Sequence, residues 1–337
     1  MRSDSFIPSF AARLQRNCLL LCGLLATCGL AAQSFPLSEN TWDNPEFVDR
    51  FLGTYGVLTE REPKITTDEA ELFEQITPLM QAENYEGAIS LLQGALTAES
   101  SAAINYTIAN IALQSGNYDL AEREYREAIR KFPNFLRAYK NLGLAYTQQS
   151  DFSQARDMFN RAIELGDGDG DTYGLVGYCY LNLNQMARAR DAYAIARVLS
   201  PGNKDWVIGY AQSLMATRQF EQAISVFEEL IAEEPGRGTY YTQIANAYIS
   251  LADYPQAARY LEIIRRMGEA NAATLGLLGD IYVNTGLFDL ALTVFLEAYE
   301  VEGSVTAERS LQVASSLLQR GAYTEAETCL SQLEARG

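Results

Sequence analysis

Small apolar residues recur along this chain at a spacing too long for any single helix or strand. Alanine stands at Ala88, Ala121, Ala155, Ala189, Ala223, Ala257, Ala291 and Ala326, at intervals of 33 to 35 residues. Four residues after each comes a large apolar side chain: Leu92, Tyr125, Phe159, Tyr193, Phe227, Leu261, Phe295 and Leu330. Three further on stand Ala95, Ala128, Ala162, Ala196, Leu230, Ile264, Ala298 and Leu333. Offsets of four and three put all three positions on one face of a helix. A second amphipathic segment precedes each of these helices, as in Tyr139, Leu142, Gly143 and Tyr146, or Tyr173, Val176, Gly177 and Tyr180. Its glycine lets one backbone approach its partner, and the tyrosine fills the adjoining gap. Short turns such as 115–118 and 285–288 join the two helices, and Pro133, Pro201 and Pro235 are placed to end the second. The pattern predicts an all-α chain of helix pairs repeated about eight times over residues 69–337.

These residues and their register resemble the tetratricopeptide repeat family. The resemblance implies an α-solenoid, a right-handed superhelix of helix-turn-helix units. Asp167, Glu269 and Gly303 replace the terminal proline in three repeats, and Pro78 falls inside the first helix of the first, where it should kink or shorten that helix. Residues 33–68 fit no repeat. Phe47, Val48, Phe51 and Leu52 form a short helical apolar face there, which predicts an N-terminal cap for the array. The competing reading is a docking segment for a partner. Residues 1–32 carry Arg2, Arg13 and Arg16, then an apolar run from Cys18 to Leu25, then small residues up to Ala32. That order predicts a cleavable signal peptide and an exported protein, periplasmic or secreted. Leu25-Ala26-Thr27-Cys28 also resembles a bacterial lipobox, which would make Cys28 a lipidated N-terminus and tether the protein to a membrane through that anchor alone.

Composition removes several functions. The chain has 26 Lys and Arg against 43 Asp and Glu, a net charge of −17, so a nucleic-acid partner held by a basic surface is excluded. It has no histidine, which excludes a Ser-His-Asp triad, a Cys-His pair and any His-ligated metal. Only Cys179 and Cys329 lie outside the leader, too few and too far apart for a disulfide scaffold, and they read as buried thiols. Asp167, Asp169 and Asp171, alternating with glycine, begin like a calcium loop. Thr172 and Tyr178 stand where such a loop needs Gly and Glu, so these aspartates are weak metal candidates. Adjacent carboxylates such as Glu228-Glu229 and Glu233-Glu234 read as a solvated outer face. No phosphate loop or nucleophile elbow is present. The expectation is a non-enzyme without cofactors.

In the tetratricopeptide family the first helix of each repeat lines the concave face, which takes an extended peptide or another protein's helix. The resemblance places Tyr106, Asn110, Lys140, Tyr178, Gln212, Thr242, Asn246 and Asp280 in that groove. A row of amides including Gln114, Gln148, Asn182 and Asn284 follows one turn further along. Amides serve an extended backbone in either sense, and tyrosines give contact area at small entropic loss. The chaperone-binding carboxylate clamp of the family is absent, because Leu144, Gly174 and Tyr178 follow Asn110 and Lys140. The function expected is an exported scaffold binding a protein or peptide partner, in cell-envelope assembly. The alternatives are a non-catalytic docking subunit of a multi-protein enzyme and a calcium-dependent surface adhesin. In the last repeat, Leu311, Val313, Leu317, Leu318 and Leu330 belong to a face with no following repeat, which predicts self-association or docking at that end.

Overall fold

The computed structural model describes residues 62–302, 314–315, 317–319 and 321–334. The leader, Cys28 and most of the pre-repeat segment lie outside these residues. Seven helix pairs follow in chain order. They are α1 (Thr67–Gln81) with α2 (Tyr85–Gly94), α3 (Ala102–Gln114) with α4 (Tyr118–Lys131), and α5 (Leu136–Gln148) with α6 (Phe152–Glu164). Next come α7 (Gly170–Asn182) with α8 (Met186–Leu199), α9 (Lys204–Ala216) with α10 (Phe220–Glu233), α11 (Gly238–Ser250) with α12 (Tyr254–Met267), and α13 (Ala272–Thr285) with α14 (Phe288–Glu302). The second helix of an eighth unit, α15 (Tyr323–Glu334), completes the described part. Each helix packs on its neighbours in sequence, with α3 touching α5 and α7 touching α9, so the helix pairs stack into an α-solenoid. No strand occurs among the described residues, and none of their helices is long and apolar enough to cross a membrane.

The alanine column is the axis of this packing. All eight alanines are fully buried, and Leu92, Tyr125, Phe159, Tyr193, Phe227 and Leu261 are buried beside them. A methyl group is the largest side chain that lets two helices approach there while the large residue one turn on fills the space. Glycine performs the same service on the first helices. A Cβ at Gly143 would lie 2.7 Å from the Phe159 ring, and one at Gly174 only 2.2 Å from the Trp206 indole.

Every turn inside a repeat uses one device. Glu83, Gly116, Ser150, Asn184, Arg218, Ala252, Gly286 and Gly321 all have left-handed backbones, at the same 33-to-35-residue spacing as the alanines. The next residue's N–H then donates to the carbonyl five residues back, as from Asn117 to Ala112 at 2.8 Å and from Asp253 to Tyr248 at 2.9 Å. This caps the first helix and aims the second. Asn84, Asn117, Asp151 and Asp253 then cap the second helices with their side chains. Between repeats, Pro133, Pro201 and Pro235 stand just past α4, α8 and α10 as expected. Where Asp167 and Glu269 take the proline's place, the residue before each, Gly166 (φ +94°) and Gly268 (φ +75°), is left-handed and turns the chain out of the helix. Pro78 does not shorten α1, which continues to Gln81.

Candidate partner-binding face

The first helices α3 to α13 carry the eight residues assigned to the groove, and the structure divides them. Tyr106 and Asn110 on α3 are buried, at 1% and 7% exposure, so they line no open surface. Phe135 lies 4.7 Å from the Tyr106 ring and Tyr125 lies 5.9 Å away. Asn141 donates from its amide nitrogen to Tyr106 Oη and to Asn110 Oδ1, both at 2.9 Å. Tyr125 donates its hydroxyl to the same Asn110 oxygen at 2.6 Å. Burial pushes the Tyr106 phenol's pKa up, against the lowering effect of nearby Arg137. The correction has a physical reason. Phe135 and Arg137 come from the following repeat and pack against the Tyr106 ring, closing it off from the surface.

Lys140 on α5 is also engaged. Its ammonium pairs with Asp169 at 3.0 Å and Asp167 at 3.3 Å, in the turn before α7. Asp167 accepts as well from the Thr172 hydroxyl at 2.7 Å, and Asp169 caps α7 through the Asp171 N–H. Asp171 turns the other way and accepts from the Trp206 indole N–H at 2.8 Å and from the Asn203 amide at 3.2 Å. Of the three aspartates of the candidate calcium turn, Asp167 and Asp169 thus converge on the Lys140 ammonium, whereas Asp171 faces the Trp206 and Asn203 donors. No group of three or more acidic or cysteine side chains placed to hold a metal exists among the described residues.

Beyond this turn the face opens. Tyr178 on α7 is half-buried, edge-on to Phe152 at 5.7 Å, and burial raises its pKa. Gln212 on α9 and Thr242 and Asn246 on α11 are partly exposed, and Asp280 on α13 is exposed. Thr242 returns its hydroxyl to the Gly238 carbonyl at 3.1 Å. Gln114, Gln148 and Asn284 are exposed at the far ends of their helices, and Asn182 is partly so. Polar side chains and one aromatic edge thus reach the surface along α7 to α13, and such groups are chemistry for holding a backbone.

Two features escaped the sequence reading. Glu62 receives both ends of the Arg137 guanidinium, at 2.7 and 2.5 Å, and that guanidinium lies 5.5 Å above the Tyr106 ring. On the outer face, Glu127–Arg130 and Arg161–Glu164 form ion pairs at equivalent positions of α4 and α6. On α8 those positions are Ile195 and Val198, 44% and 77% exposed, next to Leu199 at 48%. Aligning the outer columns of the repeats is the signal that finds this apolar strip.

At the C-terminal end, Leu317 is buried with Val283, Ala291, Ala322, Ala326 and Cys329, so it packs inward and does not face a missing neighbour. Leu318 is 45% exposed, and Leu311 and Val313 lie outside the described residues. Cys179 and Cys329 are free buried thiols, and burial pushes the Cys179 pKa up to about 12.

The tetratricopeptide repeat family model matches residues 106–170 and 242–304. A tetratricopeptide repeat-containing protein of Treponema pallidum is 25% identical over 186 residues, 55% of this chain and 21% of that protein. The general transcriptional corepressor trfA of Dictyostelium discoideum is 26% identical over 103 residues, 31% of this chain and 7% of that protein. The chain thus spans less than a quarter of the length of these two relatives. Among solved structures, the C-terminal part of a tetratricopeptide repeat-containing protein from Cytophaga hutchinsonii superimposes with a TM-score of 0.56 at 16% identity, covering 70% of this chain and 97% of that one. At that identity the likeness shows the fold.

Proposed function

We propose that this chain, whose residues 106–170 and 242–304 match the tetratricopeptide repeat family model, is a non-catalytic scaffold that holds an extended segment of a partner on the first-helix face of α7 to α13. The observation that carries this reading is the half-open aromatic edge of Tyr178, followed in line by Gln212, Thr242, Asn246 and Asp280. A tyrosine fixed against Phe152 loses little entropy on contact, and the polar groups beyond it match peptide donors and acceptors. We place the protein outside the cytoplasm, working in cell-envelope assembly. The support is the order of Arg13 and Arg16, the apolar run from Cys18 to Leu25, and the small residues up to Ala32.

Two measurements test this. With a partner recovered from envelope extract, Tyr178→Ala should weaken binding by about 1–3 kcal/mol while the thermal transition stays in place. Unchanged affinity in Tyr178→Ala and Asn246→Ala together would move the site off this face. Intact mass of the purified native protein should show a chain beginning near Gln33 or an acylated Cys28. Retention of Met1 would defeat the assignment outside the cytoplasm.

A further inference from the structure

The charges on the open face are one-sided. On its four first helices, α7, α9, α11 and α13, the charged residues are Asp171, Asp205, Asp280 and Lys204. Lys204 is already engaged, with its ammonium 2.6 Å from Glu234 and 3.4 Å from Glu233 at the C-terminal end of α10. Arg237, just ahead of α11, is held in the same way: it pairs with Glu234 at 3.3 Å and lies 5.1 Å over the Tyr240 ring. The carboxylates are placed differently. Asp171 turns to the Trp206 indole and the Asn203 amide, but Asp205 is partly exposed in the first turn of α9 and Asp280 is exposed midway along α13. Asn246 stands in the same column one repeat before Asp280, and Asn284 follows it by one turn on the same helix. Their amide oxygens accept hydrogen bonds, as a carboxylate does.

We infer that the segment held on this face is basic: an extended stretch of a partner whose lysine or arginine side chains reach Asp205 and Asp280, with the amide oxygens of Asn246 and Asn284 accepting beside the second. The inference rests on the reading that this face holds extended peptide, and it adds the chemistry of what is held. An acidic segment would bring its carboxylates against Asp205 and Asp280, with Lys204 and Arg237 committed to Glu234, so like-charge repulsion selects against it. The net charge of −17 draws a cationic segment to the chain as a whole and speeds its arrival. The two aspartates on the first helices set where it stays.

The probe is a fluorescein-labelled peptide of nine residues, about 30 Å when extended, alternating lysine with threonine. Two companions carry serine or glutamate in place of the lysines. All three are titrated by fluorescence anisotropy against the full chain at about 150 mM salt, where surface attraction beyond about 8 Å is screened. The lysine peptide should bind at least tenfold more tightly than the serine peptide, and the glutamate peptide more weakly than either. Asp205→Asn with Asp280→Asn should weaken the lysine peptide at least fivefold, and Asp280→Asn alone, at an exposed position, at least twofold. Glu164→Gln with Glu229→Gln makes the same change in net charge on the outer face and should weaken it less than twofold. Asp280→Lys should improve binding of the glutamate peptide. Circular dichroism and urea melts confirm that each variant is folded. Equal binding of the lysine and serine peptides, or equal losses in the two double variants, overturns the inference. The assay needs no outside partner, so it can fail while partner affinity still depends on Tyr178. The reverse pair of results would sink the partner reading and leave the basic-segment site standing.

Discussion

The first-helix face of the second and third repeats and that of the fifth to seventh share one alignment and differ in state. In the former, Tyr106, Asn110 and Asn141 are buried and bonded to one another beneath Phe135 and Arg137. In the latter, Gln212, Thr242 and Asn246 keep partial exposure and Asp280 is open. A position in the repeat decides which way a side chain points, whereas the residues of the neighbouring repeat decide whether anything can reach it. The closed end is built as core, and the open end is built as surface.

The largest effect should separate the two ends by stability alone. Tyr106→Ala removes a buried aromatic ring and leaves Asn141 short of a partner, and should lower unfolding free energy by about 3–5 kcal/mol in urea melts. Asn246→Ala should shift it by less than about 0.5 kcal/mol. Similar losses for both would erase the contrast.

A smaller effect should appear with pH at the closed end. Burial raises the Glu69 pKa, but the backbone and hydroxyl donors of Ser101 and Thr66 outweigh it and hold the carboxyl below its usual value of 4.5. Its folded pKa is therefore depressed. The stability it contributes is fully present above the unfolded pKa and is lost as pH falls through the folded one. The gap between wild type and Glu69→Gln in chemical melts should stay constant from neutral pH down to about 5.5, then narrow below about 4.5. A gap that widens in acid would contradict the depressed pKa.

The smallest effect lies in the turns. The fifth and sixth repeats turn through Arg218 and Ala252 in the left-handed region, where the second repeat has Gly116. Ala252→Gly should stabilise by about 0.5–1 kcal/mol, and Gly116→Ala should destabilise by a similar amount. Opposite signs in thermal melts sharpen the comparison, and equal signs would show that the turns do not share one geometry.

Much of the fold was legible because it is periodic. The alanine column, the glycines facing Phe159 and Tyr193, and the prolines after α4, α8 and α10 each repeat a local rule, so one misread copy is outvoted by the rest. The left-handed turns were harder, since only Gly116, Gly286 and Gly321 announce what Glu83, Ser150 and Ala252 also adopt. The candidate face was half legible. Its helices and columns followed from the register, but the closure of Tyr106 depends on Arg137 from the next repeat and on Glu62, 75 residues before Arg137. In the same way the calcium-like turn is a local pattern whose meaning is set by Lys140, 29 residues before Asp169. Contacts between repeats leave no local trace in a sequence.

The most direct test of a partner held on the open first-helix face is site-specific photo-crosslinking in the producing cells. A photoreactive phenylalanine analogue placed singly at 178, 212 or 246 should give one common partner adduct, while the same probe at 195 or 198 on the outer strip should give none. Adducts at the α8 strip with silence at 178, 212 and 246 would contradict the account and put the partner on the outer face.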